Sequence, residues 1–162
     1  MHIKTVTTKS QIKAIESLAH EIWHEHYTPI IGKAQVDYML EKFQSVKAIE
    51  GQIDNGFLYF SCEHDHAPMG YMSVNIRGEE LFLSKIYVAS ENRRKGYGRG
   101  MVAFLENLAR KKGLNKISLT VNRYNTNSIQ MYEKVGFSIC GSVIQDIGNG
   151  FVMDDYKMEK RL

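Results

Sequence analysis

Three segments with strand character, Phe57 to Glu63, Met69 to Arg77 and Leu81 to Val88, follow one another with only the turns His64 to Pro68 and Gly78-Glu79-Glu80 between them. Connections this short cannot carry the chain back across a sheet, so the three strands form an antiparallel meander. The next strand is reached differently. Val102, Leu105, Leu108 and Ala109 keep helical spacing up to Gly113, and a β-branched run follows at Lys116 to Val121. Strand, helix and strand in that order predict a parallel pair with a right-handed crossover. The expected fold class is therefore α+β, with a mixed, mostly antiparallel central sheet flanked by helices.

The remaining segments fit this frame. Ile3 to Val6 reads as a short edge strand, and Thr8-x-x-Gln11 has capping-box form ahead of Ile12, Ile15, Ala19, Ile22 and Trp23 at helical spacing. Val36, Met39, Leu40 and Phe43 repeat that period, and Val46 with Ile49 add a turn or two before Asp54-Asn55-Gly56. A helix around Ser128 to Val135 stops at Gly136, and apolar stretches at Phe137 to Ile144 and Phe151 to Met158 complete the sheet. Pro29 and Pro68 are assigned to loops. With no repeat or Pro/Gly/Ser linker in 162 residues, residues 1–162 are expected to form a single domain.

Charge and cysteine usage narrow the class. Twenty-one basic residues against 18 acidic ones leave +3, too small a bias to argue for nucleic acid or an anionic membrane. No apolar run approaches the roughly 18 residues of a membrane helix, and Met1-His2-Ile3-Lys4 lacks the apolar stretch of a signal peptide. The only cysteines, Cys62 and Cys140, have no CxxC spacing. A cytoplasmic protein with reduced thiols is the expectation.

The stretch that carries chemistry joins the third strand of the meander to the next helix and holds Arg93, Arg94, Lys95, Gly96, Tyr97, Gly98, Arg99 and Gly100. The glycines permit backbone geometry closed to other residues, the first amides of a helix have no partner within it, and the basic side chains add charge. Together they make an anion cradle, most naturally for a diphosphate. A dinucleotide fingerprint wants a third glycine where Met101 stands, and no Gly-Lys-Ser/Thr ends the loop as a P-loop requires.

Arg93-x-x-Gly96-x-Gly98 resembles the Q/R-x-x-G-x-G/A signature of the GCN5-related N-acetyltransferases. Downstream, Asn125-Thr-Asn-Ser-Ile-Gln-Met-Tyr132-Glu-Lys-Val-Gly136-Phe137 is similar to that family's asparagine, helix, tyrosine and closing Gly-Phe segment. The similar motifs run from about Leu81 to Phe137. The resemblance implies that strands 81–88 and 116–121 splay apart and admit the pantetheine arm of acetyl-coenzyme A as a pseudo-strand. Ile86, Tyr87 and Val88 would lie along it, the backbones of Ile86 and Val88 pairing with the arm while the Tyr87 ring faces the acceptor cavity. The diphosphate would rest on amides from Arg94 to Gly100, and a strand amide of Ile86 or Val88 would stabilise the oxyanion.

The same resemblance makes Tyr132 the general acid that protonates the departing thiolate. A phenol near pKa 10 lies within about two units of a thiol's 8.5, so the transfer is nearly balanced. Tyr132 also suits a core position beside Ile129 and Val135. Asn125 is expected on coenzyme A, with Asn127 and Ser128 beside it, because Asn127-x-x-Gln130 has capping-box form of its own and relieves Asn125 of that task. The acceptor amine, near pKa 10.4, must lose a proton, and Glu80, Tyr87, His26 and Asp155 are candidates to receive it. No metal is required. Asp154-Asp155 could attract a cationic acceptor such as a polyamine, although strand geometry sends at most one of the two into a cleft. A small amine, a polyamine, a peptide N-terminus and an antibiotic all stay open as acceptors, as does a homodimer.

One rival motif is present. His20-Glu21-Ile22-Trp23-His24 spells HExxH on a helix, the spacing of zinc hydrolases. The apolar face of that helix centres on Ile15, Ala19 and Ile22, which turns His20 and His24 toward the polar side, and Tyr27 and Ile30 replace the next glycine and histidine of the longer signature. Nucleic-acid binding through Arg93 to Arg99 with Arg110-Lys111-Lys112 lacks a recognition module, and the second cluster reads as a solvated helix end.

Overall fold

The computed structural model describes residues 1–162. Seven strands lie in the order β1-β2-β3-β4-β5-β7-β6, in which β1 is His2–Thr5, β2 Leu58–His64, β3 Ala67–Arg77, β4 Glu80–Val88, β5 Lys116–Asn122, β6 Ser138–Gly148 and β7 Phe151–Arg161. Five helices accompany them: α1 Lys9–Ile31, α2 Lys33–Gln44, α3 Val46–Asp54, α4 Tyr97–Lys111 and α5 Thr126–Lys134. β2 and β3 of the meander pair antiparallel, and β4 and β5 are parallel, with Glu80 opposite Lys116 through Leu83 opposite Leu119. The mixed α+β architecture expected from connection lengths is the one observed. The chain falls into two compact units, Met1–Asn75 with Lys85–Met101, and Ile76–Ser84 with Val102–Leu162.

The first unit is built on the long helix α1. Thr8 caps it as a capping box: the Gln11 amide donates to Thr8 Oγ1 at 3.2 Å, and the Thr8 amide donates to Gln11 Oε1 at 3.0 Å, an arrangement worth about 1 kcal/mol. Its buried stripe, Ile12, Ile15, Leu18, Ala19, Ile22 and Trp23, packs with Val36, Met39 and Leu40 of α2 and Ile49 of α3 in the core. Pro29 lies inside α1, not in a loop. It sits in the last turn, where the missing N–H removes one helical bond shortly before Gly32, at φ +82°, ends the helix. Pro68 likewise lies in β3, next to a bulge between Cys62 and Glu63 that relieves it of a ladder bond. Asp65 and His66 both take left-handed φ, as a two-residue hairpin turn requires.

The second unit holds the β5-β7-β6 end of the sheet. β5 pairs with β7 over its whole length, and the β6–β7 hairpin turns at Asn149-Gly150, both at positive φ, which carries these strands further than apolar patterning alone suggests. Most residues of β6 are exposed, Ile144 at 70%. Both cysteines are free: Cys62 is buried in β2, where burial pushes its thiol up to about 12, and Cys140 is exposed on β6. No helix is long and apolar enough to cross a membrane.

Candidate active site

In the first unit, β4 ends at Val88 and the chain turns sharply. The Ala89 amide donates to the Met69 carbonyl at 2.8 Å, a single 3₁₀ turn spans Ser90–Asn92, and Arg94 and Gly96 then take left-handed φ of +61° and +82°. A non-glycine residue held there is local strain of the sort that accompanies ligand loops. The first bond of α4 runs from the Gly100 amide to the Gly96 carbonyl at 3.1 Å, so the amides of Tyr97, Gly98 and Arg99 have no acceptor within the helix. Arg94, Lys95 and Arg99 are exposed around them. Backbone donors, a helix N-terminus and exposed cations share one corner, which suits a diphosphate.

Arg93 differs from its neighbours. Its Nε donates to the Val88 carbonyl at 2.9 Å, and its two terminal nitrogens grip the Glu25 carboxylate at 3.0 and 2.7 Å. The guanidinium therefore ties the corner to the end of β4 and to α1. Tyr97 extends from the first turn of α4 and shares a hydrogen bond with His64 Nδ1 at 3.2 Å.

Tyr87 belongs to a four-ring cluster with Tyr71, Trp23 and Tyr27, at centroid distances of 5.3, 5.6 and 6.1 Å from it. Its hydroxyl is 3.4 Å from that of Tyr27. Two residues earlier, Lys85 is 7% exposed and donates to Gln52 Oε1 at 2.8 Å, the same oxygen that accepts from the Tyr59 hydroxyl at 2.5 Å. Burial draws its ammonium down to about 8. Its place in the Leu81, Leu83, Lys85 alternation, the buried register of β4, is the one signal of it in the sequence.

In the second unit, Asn122 and Asp155 form the last rung between β5 and β7. Beyond it the Tyr124 amide donates to Asn122 Oδ1 and the Asn125 amide to the Asn122 carbonyl, both at 2.9 Å, and α5 begins at Thr126. The N-cap of α5 is Asn125, not Asn127. Asn127 and Ser128 lie inside the first turn, which moves the helix start ahead of Ser128. The Asn125 side chain makes no capping bond even so, and the residue is 3% exposed. Tyr132, on the next turn, is 8% exposed and packs edge-on against Phe137 at 5.7 Å.

The acidic candidates separate clearly. Glu80 accepts from the Ser118 hydroxyl at 2.9 Å and pairs with Lys116, so it is spent on the β4–β5 pairing. Asp154 is held by Arg123 Nε at 2.9 Å, and the Arg123 guanidinium also lies over the Tyr156 ring. Asp155 is 5% exposed, and burial pushes its carboxyl up to about 6, with the neighbouring Asp154 charge adding to the rise and the Thr120 hydroxyl opposing it. The two adjacent acids lie within a strand, one salt-bridged and one buried. Of the HExxH residues, His24 places Nδ1 2.8 Å from the His20 carbonyl and Nε2 2.7 Å from Asp37 Oδ1, so both ring nitrogens have helix-to-helix or local partners, and no group of three or more metal-ligating side chains forms.

Known proteins resemble this chain along its length. A spermidine N(1)-acetyltransferase of Thermoplasma acidophilum is 24% identical over 155 residues, covering 90% of this chain and 93% of that one. A thialysine N-epsilon-acetyltransferase of Caenorhabditis elegans is 30% identical over 110 residues, 65% of this chain and 66% of that protein. The crystal structure of the PaiA N-acetyltransferase of Thermoplasma acidophilum in complex with coenzyme A superposes with a TM-score of 0.81 at 21% identity, all of both chains covered. The model of the Acetyltransferase (GNAT) family matches residues 15–137, which contain the glycine-flanked corner, Asn125, Tyr132 and the Gly136-Phe137 close, and the chain belongs to that family.

Proposed function

We propose that this acetyltransferase moves the acetyl group of acetyl-coenzyme A directly onto a primary amine, with a small amine or polyamine as acceptor, and that residues 1–162 act as one cytoplasmic catalytic domain. The observation that carries the reading is the corner after β4, where three helix amides without intrahelical acceptors stand among exposed cations in a chain of this family. Amides from Arg94 to Gly100 would hold the diphosphate, with Lys95 and Arg99 supplying charge and Arg93 bracing the corner from behind. The backbones of Ile86 and Val88 would pair with the pantetheine arm beside Tyr87. Asn125, Asn127 and Ser128, at the head of α5, would flank the coenzyme.

Acetyl-coenzyme A supplies an activated thioester. The chain supplies position and protons. As the amine nitrogen bonds to the acetyl carbon and the carbon–sulfur bond breaks, Tyr132 gives its phenolic proton to the thiolate and the nitrogen releases one. Asp155 is the strongest candidate to receive the latter, because it combines burial, a place on β7 opposite the C-terminal end of β5 and a proton affinity raised toward neutrality. Both curated relatives described above act on amines of small molecules by name, which favours such acceptors over a peptide N-terminus.

Thiol release from acetyl-coenzyme A, followed across spermidine, simple alkylamines and peptides with free N-termini, tests reaction and acceptor together. Release that depends on spermidine or an alkylamine is expected. Release driven by peptides alone would overturn the acceptor, and no stabilisation of the fold by acetyl-coenzyme A would overturn the donor.

A further inference from the structure

The turn that follows Tyr132 is unusually well specified. With Val135 as C-cap, the Phe137 amide donates to the Tyr132 carbonyl at 3.0 Å and the Gly136 amide to the Glu133 carbonyl at 3.1 Å, the two bonds of a Schellman close. Gly136 stands at φ +99°, and the accompanying side-chain contact is the Tyr132–Phe137 ring pair itself. The phenol that the mechanism uses is thus the inner member of a helix cap.

The Val135 carbonyl takes no part in these bonds, and a residue from another element supplies its partner. Lys160, on β7, donates from Nζ to the Val135 carbonyl at 2.7 Å and forms an ion pair with Glu106 of α4. The Lys160 and Glu106 side chains are 21% and 17% exposed, so the pair is shielded from water rather than a loose surface bridge. A Cβ on Gly136 would stand 3.1 Å from Lys160 Cε, so glycine at 136 serves both the left-handed turn and the passage of the lysine stem.

Resting on the assignment of Tyr132 as the acid, we propose that Lys160, held by Glu106, is a positioning residue that fixes the end of α5 and thereby sets where the Tyr132 hydroxyl stands during proton transfer. Lys160 touches neither substrate nor coenzyme in this role. It acts through the Val135 carbonyl and the cap.

A double-mutant cycle on the full chain tests this, because two residues acting through one step are not additive. Lys160→Met is expected to lower kcat about tenfold while leaving KM for acetyl-coenzyme A within about twofold, since a small misplacement of a reacting group costs rate rather than binding. Lys160→Arg, which can still reach Glu106, should recover most of the loss. In a Tyr132→Phe background, Lys160→Met should cost no more than about a further twofold. Lys160→Met/Glu106→Gln, which leaves no unpaired shielded charge, should reproduce the Lys160→Met result and serves if the single variant folds poorly. A full tenfold loss in the Tyr132→Phe background, or wild-type kcat in a folded Lys160 variant, would overturn the proposal. Wild-type turnover by Tyr132→Phe alone would instead overturn Tyr132 as the acid, so the two failures are distinguishable.

Discussion

A Cβ placed on Gly70 would stand 2.4 Å from the carbonyl oxygen of Tyr87, and that oxygen is backbone with no rotamer to escape into. Gly70 therefore sets how closely β3 can approach the last residues of β4, the segment to which we assign the pantetheine arm. Gly70→Ala must push Tyr87 aside. We expect a loss of about 2 kcal/mol in denaturant unfolding, the usual scale for overpacking, together with weaker thermal stabilisation by acetyl-coenzyme A. A variant as stable and as responsive as the parent would show that the close approach has no consequence.

Arg93 offers a test of geometry against charge. Because its fork holds the Glu25 carboxylate while Nε reaches the Val88 carbonyl, a lysine at that position keeps the charge and loses the bracing. Arg93→Lys should weaken acetyl-coenzyme A binding by roughly threefold to tenfold, on the scale of one lost bidentate contact. Titration calorimetry reads the change directly, and unchanged affinity would mean that charge alone matters.

Lys85 predicts a stability profile in alkali. Its folded-state affinity for a proton is lowered from 10.5 to about 8, so the buried ammonium penalises the fold fully below pH 8, and the penalty fades as pH rises toward 10.5. The span corresponds to about 3 kcal/mol. Relative to Lys85→Met, the wild type should gain stability on going from pH 7 to pH 10. Parallel denaturation curves at both pH values would refute a charged, buried lysine.

Asp155 predicts the opposite limb. A carboxyl raised from 3.8 to about 6 favours the fold while neutral, and that contribution is lost as pH rises through 6, the range in which the ionised form becomes available to accept a proton. The Thr120 hydroxyl bonds to it, and Asp154, itself held by Arg123, is its neighbour in the strand. We expect kcat/KM to rise with pH through an inflection near 6 in the wild type and that inflection to be absent in Asp155→Asn. An unchanged inflection in the variant would assign it to another group.

Connection lengths and local periodicity were enough to read the meander, the crossover to β5 and the Thr8 capping box, because each depends on residues near one another in the chain. The glycine-flanked corner was legible for the same reason. Pro29 escaped because a proline in a final helical turn costs one bond that a neighbouring glycine cap tolerates. The N-cap of α5 was misplaced by two residues because Asn125 and Asn127 have the same side chain, and only the backbone at Asn122 to Asn125 decides between them. Lys160 with Glu106, and Lys85 with Gln52, pair residues 54 and 33 positions apart, and no local pattern announces such partners.

The two cysteines leave this chain with one addressable sulfur. Cys62 is sealed in β2 with its thiol held protonated, while Cys140 faces solvent on β6. A maleimide dye should therefore attach at a single place on the unmutated protein, and the emission of that reporter can follow folding of the β5-β7-β6 end without any engineered handle.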